Sequence, residues 1–461
     1  MEHRAKVIPV QIADATSTYA WKEGNESKVN GKRCNDLRTL CEGIEETASS
    51  VEVFFRARNL FKHEGVGVVF VPSYSPARYF ALFAAAKSLG LRTVMMNESH
   101  AGTEKAAGCK KWIKRQIVKQ FDAAFVGGAP HKRHFSALGI PEGKIFTGYD
   151  AVDNGFFSAR ADEALRMEHD AKHLSTLNSQ HSTKQGPRSA CGLPERYFLN
   201  LGRMVPKKNL STLVEAYARF ARASVEVKGG GLKVEGTGAA ASPPQGEGSD
   251  VVGSNRSLAT RHLVPALVFV GSGELECELE AQARSLGLEV VDRRGWKSGN
   301  PGGEERSSLN QEDRGAIFFY GFRQLDENPI FYALAEAFVL PSLYEEWGLV
   351  VNEAMACSLP VIVSRTAGCA EDLLPGSGPV AENCKLNTEN SFEPRSNGFL
   401  FDPTSVEALA EALRRIVEMG DGRWEMGKQS RKIVANFGCE NFARQVLAAA
   451  EAASGGKGSG C

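Results

Sequence analysis

Short apolar runs alternate with longer amphipathic stretches along almost the whole chain. Residues 65–73 read GVGVVFVPS and predict a strand, and residues 77–90 read ARYFALFAAAKSLG and predict a helix that ends at Gly90. The alternation continues through LRTVMMNES, KKWIKRQIVKQF and AAFVGG. Strands that alternate with helices in this way predict a mostly parallel sheet with helices on both faces, so the fold class is α/β.

The pattern stops between Phe157 and Pro194, where few residues are apolar at either the helical or the strand period. A second strand–helix series begins at RYFLNLGR and runs to PVIVS. We therefore predict two doubly wound, Rossmann-like domains, residues 1–157 and 195–436, joined by a linker over 158–194. Residues 437–461 follow the second domain.

Three stretches rich in Gly, Ser, Pro and charge interrupt the second series, near residues 226–262, 293–312 and 376–394. Segments of this composition bury too little apolar area to offset their chain entropy. We interpret them as surface insertions without a part in the chemistry, and we expect the tail GGKGSGC to be mobile.

Composition narrows the class of protein. The chain has 461 residues, of which 42% are hydrophobic, and its 55 basic and 55 acidic residues give a net charge of zero. This composition excludes a disordered chain and argues against a protein that coats nucleic acid. No apolar run has the length of a membrane span, and the first residues lack a secretory signal, so we expect a cytoplasmic protein.

The strongest local signal is FVLPSLYEEWGLVVNEAMACSLPVIVS, in which a buried strand leads through a turn into a helix. Glu345 lies in the turn and Glu353 on the helix, both at the carboxyl edge of the sheet, where ligands bind. The amides of Gly348, Leu349 and Val350 form a helix N-terminus suited to a phosphate or diphosphate. Alternatively, both glutamates only favour a helix N-terminus through its dipole.

The second signal is LNLGRMVPKKNLSTLVEAYARF, in which Arg203 and Lys208 follow a strand and precede an amphipathic helix. Two cations in such a loop can bind a diphosphate, the arginine as a planar fork and the lysine as a point charge. The alternative is a solvated basic loop that contains Lys207 and Lys208.

Together these segments resemble the donor-binding half of family 4 glycosyltransferases, retaining enzymes of the GT-B fold. The E-x7-E pattern of that family falls on Glu345 and Glu353, and its GR...K pair falls on Arg203 and Lys208. The resemblance implies two domains that face a central cleft. It also implies that the two cations bind the donor diphosphate, that Glu353 binds the nucleotide ribose, and that Glu345 lies against the donor sugar.

The segment LVFVGSGELECELEAQARSLGL is similar to the central strand, Gly loop and helix of the same family. Its loop contains Gly271 and Gly273 and is expected to turn tightly near the nucleotide. The loop lacks the third glycine of GxGxxG, so it is weak evidence for a dinucleotide site. A nicotinamide oxidoreductase is therefore the weakest alternative.

The first half resembles the family more loosely, mainly over residues 127–157. Family members usually open with a strand and a Gly-rich loop near the donor sugar, whereas this chain begins at the expected second strand, VIPVQIA. Many members also place a histidine after the strand that corresponds to LRTVMMN. Here Glu98 is our candidate for the polar group near the reacting centre and His100 is the runner-up, unless both are solvated loop residues.

The resemblance implies a metal-independent transfer of sugar from a nucleotide diphosphate sugar to a sugar, lipid or other small-molecule acceptor, without a cofactor and without nucleic acid as a partner. The alternative is a catalytically silent nucleotide-sugar binding or scaffold protein on the same fold. A helix near residues 440–453 is expected to cross back to the first domain. The basic helix over 110–121 either contacts a membrane surface or packs Ile113, Ile117 and Phe121 in the core.

Overall fold

The structure of the chain is a computed structural model. It describes residues 10–15, 28–29, 32–33, 38–44, 47–104, 107–177, 186–229, 264–296, 315–376 and 392–455. Most of each predicted insertion lies outside these residues, as does the tail 456–461. The described ends of two insertions are regular, because the helix over Leu210–Gly229 extends into the first insertion and the strand over Phe392–Arg395 begins within the third.

The first half contains the strands and helices predicted over residues 65–126, with further elements on either side. The strands are β1 (Val10–Ala15), β2 (Lys28–Val29), β3 (Lys32–Arg33), β4 (Arg38–Ile44), β5 (Val68–Val71), β6 (Arg92–Asn97), β7 (Ala123–Val126) and β8 (Ile145–Thr147). The helices are α1 (Ser50–His63), α2 (Ala77–Ser88), α3 (Gly108–Val118), α4 (Ala129–Leu138) and α5 (Asn154–Leu177). Strands β5, β6, β7 and β8 form a parallel sheet in that order.

The beginning of the described chain forms smaller sheets. Strand β1, which overlaps the predicted strand VIPVQIA, pairs in parallel with β4, and β2 pairs antiparallel with β3. Helix α1 then packs against α2, and Val53, Ala57 and Phe61 are buried on one face of α1. The spacing of these three residues is that of an amphipathic helix on a core.

The second half is built on one eight-stranded sheet. Its strands are β9 (Tyr197–Leu201), β10 (Ala266–Val270), β11 (Glu289–Asp292), β12 (Ala316–Phe319), β13 (Ala337–Leu340), β14 (Val361–Ser364), β15 (Phe392–Arg395) and β16 (Gly398–Phe401). Its helices are α6 (Pro187–Ala190), α7 (Leu210–Gly229), α8 (Glu276–Ser285), α9 (Asn328–Ala333), α10 (Leu349–Ala356), α11 (Ala370–Leu373), α12 (Val406–Glu418) and α13 (Gly422–Val434).

The order of this sheet is β11-β12-β10-β9-β13-β14-β16-β15, and only the β15–β16 pair is antiparallel. Its central strands are buried on both faces. Along β9, for example, Tyr197 and Leu199 enter one hydrophobic cluster and Phe198 enters the other. A parallel sheet buried in this way needs helices on each face, and the predicted α/β class is confirmed.

The chain leaves β9 toward one side of the sheet and later places β13 on its other side. The loops that follow β9 and β13 therefore separate at a topological switch point, where open α/β sheets bind ligands. These are the loops that contain Arg203, Lys208 and Glu345.

Residues 158–177 of the predicted linker are helical, although the sequence shows few apolar residues at the helical period there. Helix α5 includes residues 158–177 and packs against α9 and α10. It buries Phe157, Ala161, Ala164 and Glu168, spaced three or four residues apart. The helical stripe escaped detection because small alanines and a glutamate carry little hydrophobic signal.

The last described helix, α14 (Cys439–Ser454), returns to the first sheet and packs against β6, β7 and β8. Ala449 and Ala453 share a buried cluster with Val94, Ala123 and Phe125. Small residues at this spacing let the helix approach the sheet closely, so α14 covers one face of the first sheet.

Candidate active site

The loops after β9 and β13 meet through an ion-pair network. The Lys208 ammonium contacts the Glu345 carboxylate, which also accepts a hydrogen bond from Ser342 Oγ at 3.3 Å. Lys207 Nζ lies 2.7 Å from Glu346 Oε2 and 3.4 Å from Glu345 Oε1. Two predicted site residues, Lys208 and Glu345, are therefore in direct contact, and Lys207 joins them.

Both lysines are held in place rather than freely solvated. The side chains of Lys208 and Lys207 are 14% and 21% exposed, and that of Glu345 is 10% exposed. Burial opposes the charge of Lys207, but its hydrogen bond to Glu346 raises its pKa above the ordinary value. Burial likewise opposes ionisation of Glu346, yet the same bond holds the pKa of Glu346 below its usual range, so the pair stays charged.

Helix α10 begins next to this network. Gly348 caps it in the left-handed region with φ 109°, where a side chain would be strained. Among the described residues, none accepts a backbone hydrogen bond from Gly348, Leu349 or Val350. The predicted N-terminal amides are therefore present beside the lysines, and their partial positive charge suits an anion.

Glu353 lies further along α10 and contacts neither of these lysines. Its Oε2 accepts a 2.8 Å hydrogen bond from the hydroxyl of Tyr332, which is fully buried. Burial raises the pKa of Glu353 to about 7, and the Tyr332 hydrogen bond only partly offsets this effect. A carboxyl group in such surroundings gains from ligand hydroxyls that donate hydrogen bonds to it.

Arg203 is exposed, and its guanidinium has no ion pair within the described ranges. The Gly loop packs against the backbone of the loop that contains Arg203. A Cβ atom at Gly271, whose φ is +131°, would lie 1.9 Å from Gly202 O, and one at Gly273 would lie 2.4 Å from Met204 O. Because neither glycine has a side chain, the two loops can pack this closely.

Two histidines of the first domain bind the Glu345–Glu346 segment. Nε2 of His100 lies 3.0 Å from Glu345 O, and Nε2 of His131 lies 2.9 Å from Glu346 O. Each Nδ1 accepts a backbone N–H, from Gly102 and Gly128 respectively, so each Nε2 carries the proton and donates. His100, our runner-up for the reacting centre, is therefore engaged with the opposite domain.

Burial lowers the pKa of His131 to about 4, so its ring is neutral near neutral pH. The centroid of the His131 ring lies 5.2 Å from that of His100 and 5.7 Å from that of Trp347. A neutral, hydrogen-bonded ring of this kind fixes the loop geometry without adding charge.

Glu98 lies at the carboxyl end of β6, as predicted, and it has a partner that we did not predict. Its carboxyl is hydrogen-bonded to that of Asp150, which follows β8 and is 3% exposed. Burial raises the pKa of Glu98, and the charges of Glu346 and Glu345 add to this effect. Glu98 thus faces the Glu345 network from the first domain.

A further contact joins the two domains beside this site. The N–H of Ala129, at the start of α4, lies 3.0 Å from Asp372 Oδ2 of α11, and Arg133 pairs with Glu371 through two hydrogen bonds. Burial raises the pKa of Asp372 to about 6. The N-terminus of α4 therefore binds a carboxylate of the opposite domain.

The sequence missed Lys207, His131, Asp150, Tyr332 and Asp372 as parts of this region. Asp150 carries the signal that identified Glu98, since it is an acidic residue shortly after a buried strand. Lys207 directly precedes Lys208 in the loop that the sequence identified, so the signal of that loop extends to it. His131, Tyr332 and Asp372 have no such signal, because their partners are distant in the chain.

Comparison with known proteins agrees with this geometry. Residues 298–433 match the family model for Glycosyl transferases group 1, and the match contains Glu345, Glu353 and the start of α10. A structure of Anabaena HepE in complex with UDP superposes with a TM-score of 0.55 at 15% identity, covering 89% of this chain and 84% of that one. Sucrose-phosphate synthase from Thermosynechococcus elongatus superposes with 0.53 at 16% identity, covering 86% and 76%. The chain has the GT-B fold of these proteins.

Curated relatives match shorter segments. The chain is 35% identical over 114 residues to sulfoquinovosyl transferase SQD2 of Arabidopsis thaliana, which is 25% of this chain and 19% of that relative. It is 35% identical over 135 residues to O-antigen chain mannosyltransferase B of Escherichia coli, or 29% of each chain. The chain thus spans 19% and 29% of the length of these two relatives.

Proposed function

We propose that this protein is a retaining glycosyltransferase that moves a sugar from a nucleotide diphosphate sugar to an acceptor hydroxyl. The observation that carries the proposal is the meeting of the two switch-point loops. These loops place the Lys208–Glu345 pair beside the N-terminus of α10, and Glu345 and α10 lie in the segment that matches Glycosyl transferases group 1.

We assign the donor diphosphate to the cationic side of this site. Lys208 and Arg203 would contact its oxygens, together with the amides of Gly348, Leu349 and Val350. Glu353 would accept hydrogen bonds from the ribose hydroxyls, with Gly271 and Gly273 shaping the turn beside the nucleotide. Glu345 orients Lys208 and lies against the donor sugar.

The protein's own cations would stabilise the charge that builds on the leaving diphosphate, and the mechanism would need neither a metal nor a cofactor. The acceptor would attack from the face that the leaving group departs from, and a phosphate oxygen would take its proton. Glu98 is the candidate polar group on the first-domain side of the reacting centre.

The acceptor is a sugar, a lipid or another small molecule bound from the first domain, and the location is cytoplasmic in this proposal. No helix within the described part of the chain combines the length and hydropathy of a membrane span.

Helix α3 exposes an amphipathic surface. Trp112 and Ile113 are 65% and 51% exposed, whereas Phe121 is buried and Ile117 half-buried. The structure thus places only part of the predicted apolar face in the core.

We expect this α3 surface to bind anionic membranes, because exposed Trp112 and Ile113 lie among Lys110, Lys111 and Arg115. The chain should co-sediment with vesicles that contain anionic lipid and much less with neutral ones. The double variant Trp112→Ser, Ile113→Ser should lose most of this binding. Trp424→Ser, which removes another exposed tryptophan, is the matched control. Equal binding by both variants would contradict a role for α3.

The proposed activity is tested first through its donor. Nucleotide diphosphate sugars at about 100 times their dissociation constant should stabilise the chain by about 2.7 kcal/mol, a clear rise in Tm. One base and sugar should be preferred, with NAD and NADP as controls that give no rise. The preferred donor is then incubated with candidate acceptors, and the anomeric configuration of the product is determined by NMR.

The outcomes separate the alternatives. Binding with transfer and retained configuration supports the proposal, whereas inversion contradicts the retaining mechanism. Binding without turnover in any acceptor mixture supports the silent binding protein. Binding of NAD alone would point to the oxidoreductase.

A further inference from the structure

Two carboxyl groups of the first domain meet at the carboxyl edge of its sheet. Glu98 follows β6 and Asp150 follows β8, and their side chains are hydrogen-bonded to each other. Ionised carboxylates have only acceptor atoms, so a hydrogen bond between two carboxyl groups requires a proton on one of them. The Glu98–Asp150 pair therefore holds a proton.

The surroundings assign this proton to Asp150. Asp150 is 3% exposed, and within the described residues its Oδ2 has no hydrogen-bond partner. Burial and the charge of Glu98 raise the pKa of Asp150 to about 9. Burial also raises the pKa of Glu98, but the bond from Asp150 and the charge of Lys207 act in the opposite direction. Glu98 is therefore the more readily ionised member.

We propose that Asp150 is a positioning residue, whose protonated carboxyl donates a hydrogen bond to Glu98 and holds the Glu98 carboxylate toward the cleft. The inference rests on the proposed glycosyl transfer, in which Glu98 lies near the reacting centre. A neutral Asp150 also limits the negative charge of a cleft that already contains Glu345 and Glu346 and would receive a diphosphate.

Other titratable groups surround this pair. They come from both domains and are Tyr149, His131, Cys369, Glu345, Glu346 and Lys207. Burial raises the pKa of Tyr149 to about 12 and that of Cys369 well above its ordinary value, and it lowers the pKa of His131 to about 4. A change in charge near pH 9 is therefore expected from Asp150.

The conservative variant Asp150→Asn tests the role. Its amide still donates to Glu98 but cannot ionise. We expect kcat/KM within about threefold of wild type at pH 7, and activity that persists above pH 9, where wild-type activity falls. Asp150→Ala should lose about tenfold or more, mainly in kcat. Asp153→Asn, the same change at an exposed carboxyl three residues away, should keep the wild-type profile.

Stability supplies a second measurement that needs no turnover. Folded Asp150 keeps its proton up to about pH 9, whereas the unfolded group loses it near 3.8, so wild-type stability falls relative to Asp150→Asn between these values. Above about pH 9 the difference should stay constant. Thermal unfolding at several pH values measures it, and Asp153→Asn should run parallel to the wild type.

The results decide the inference and the proposed function separately. The positioning role is overturned if Asp150→Asn loses as much activity as Asp150→Ala. It is also overturned if the activity of Asp150→Asn falls above pH 9 as that of the wild type does. Unfolding curves of wild type and Asp150→Asn that stay parallel overturn the shared proton. A wild-type chain that transfers no sugar overturns the proposed function and the positioning role with it, while the unfolding curves still report the proton.

Discussion

Changing Lys208 to alanine is expected to lower kcat/KM for sugar transfer about 100-fold or more. The Lys208 ammonium is held against Glu345 in a side chain only 14% exposed, beside the N-terminus of α10. A cation fixed in advance where charge develops stabilises the transition state without reorganisation. Steady-state kinetics and calorimetric titration of the donor measure the two parts of the loss, in turnover and in donor affinity.

The Lys208→Ala variant needs a control for folding and a control for charge. Lys428→Ala removes a lysine that is 65% exposed on α13 and should leave transfer unchanged. Lys208→Arg keeps the charge but replaces a compact ammonium with a planar fork, and it should recover only part of the activity. Wild-type turnover and donor affinity in Lys208→Ala would remove Lys208 from the donor site.

Changing Glu353 to glutamine is expected to weaken donor binding about tenfold or more and, at the same time, to stabilise the fold. The glutamine is a poorer acceptor for ribose hydroxyls than a carboxylate. Burial raises the pKa of Glu353 from 4.5 to about 7, so ionising this group costs the folded state free energy that glutamine avoids. The gain should be on the order of 3 kcal/mol above pH 7.

The raised pKa of Glu353 also predicts how stability and donor affinity change with pH. The folded state holds the Glu353 proton up to about pH 7, whereas the unfolded chain releases it near 4.5, so wild-type stability falls between these values relative to Glu353→Gln. Affinity for a nucleotide sugar should rise over the same range in the wild type, because the ionised carboxylate binds the ribose. It should stay flat in Glu353→Gln.

The measurements are thermal unfolding and calorimetry from pH 4.5 to 8. A nucleotide sugar is preferable to a free nucleoside diphosphate, whose terminal phosphate titrates in this range. Glu425→Gln, at a side chain that is 69% exposed, is the matched control and should change neither property. A Glu353→Gln variant with wild-type affinity at every pH would contradict the assignment of the ribose to Glu353.

The two substitutions are expected to change the stability of the fold in opposite directions. Lys208 is compensated by Glu345, so its removal leaves a largely buried carboxylate with fewer partners and is expected to destabilise the chain. Glu353 is buried against Tyr332 without a cation, so its neutralisation is expected to stabilise the chain. A residue that lowers the stability of the fold is typical of a functional site.

The amino-acid pattern alone predicts the alternation of strands and helices and the loops on which Lys208 and Glu345 lie. These features are local, because the hydrophobic period identifies each element and the end of a buried strand marks the ligand edge. The same reasoning placed Glu98 correctly at the end of β6. It did not predict α5 as a helix, because after Phe157 the buried stripe of that helix is made of alanines and a glutamate.

Which side chains contact one another depends on the folded structure. His100 and Glu345 are 245 residues apart in the chain, and His131 and Glu346 are 215 apart, so no periodicity relates them. The pairing of Asp150 with Glu98 and of Tyr332 with Glu353 depends on the order of strands and helices around each sheet. Charge states follow from those pairings, because burial and neighbouring groups, rather than residue type, set a pKa.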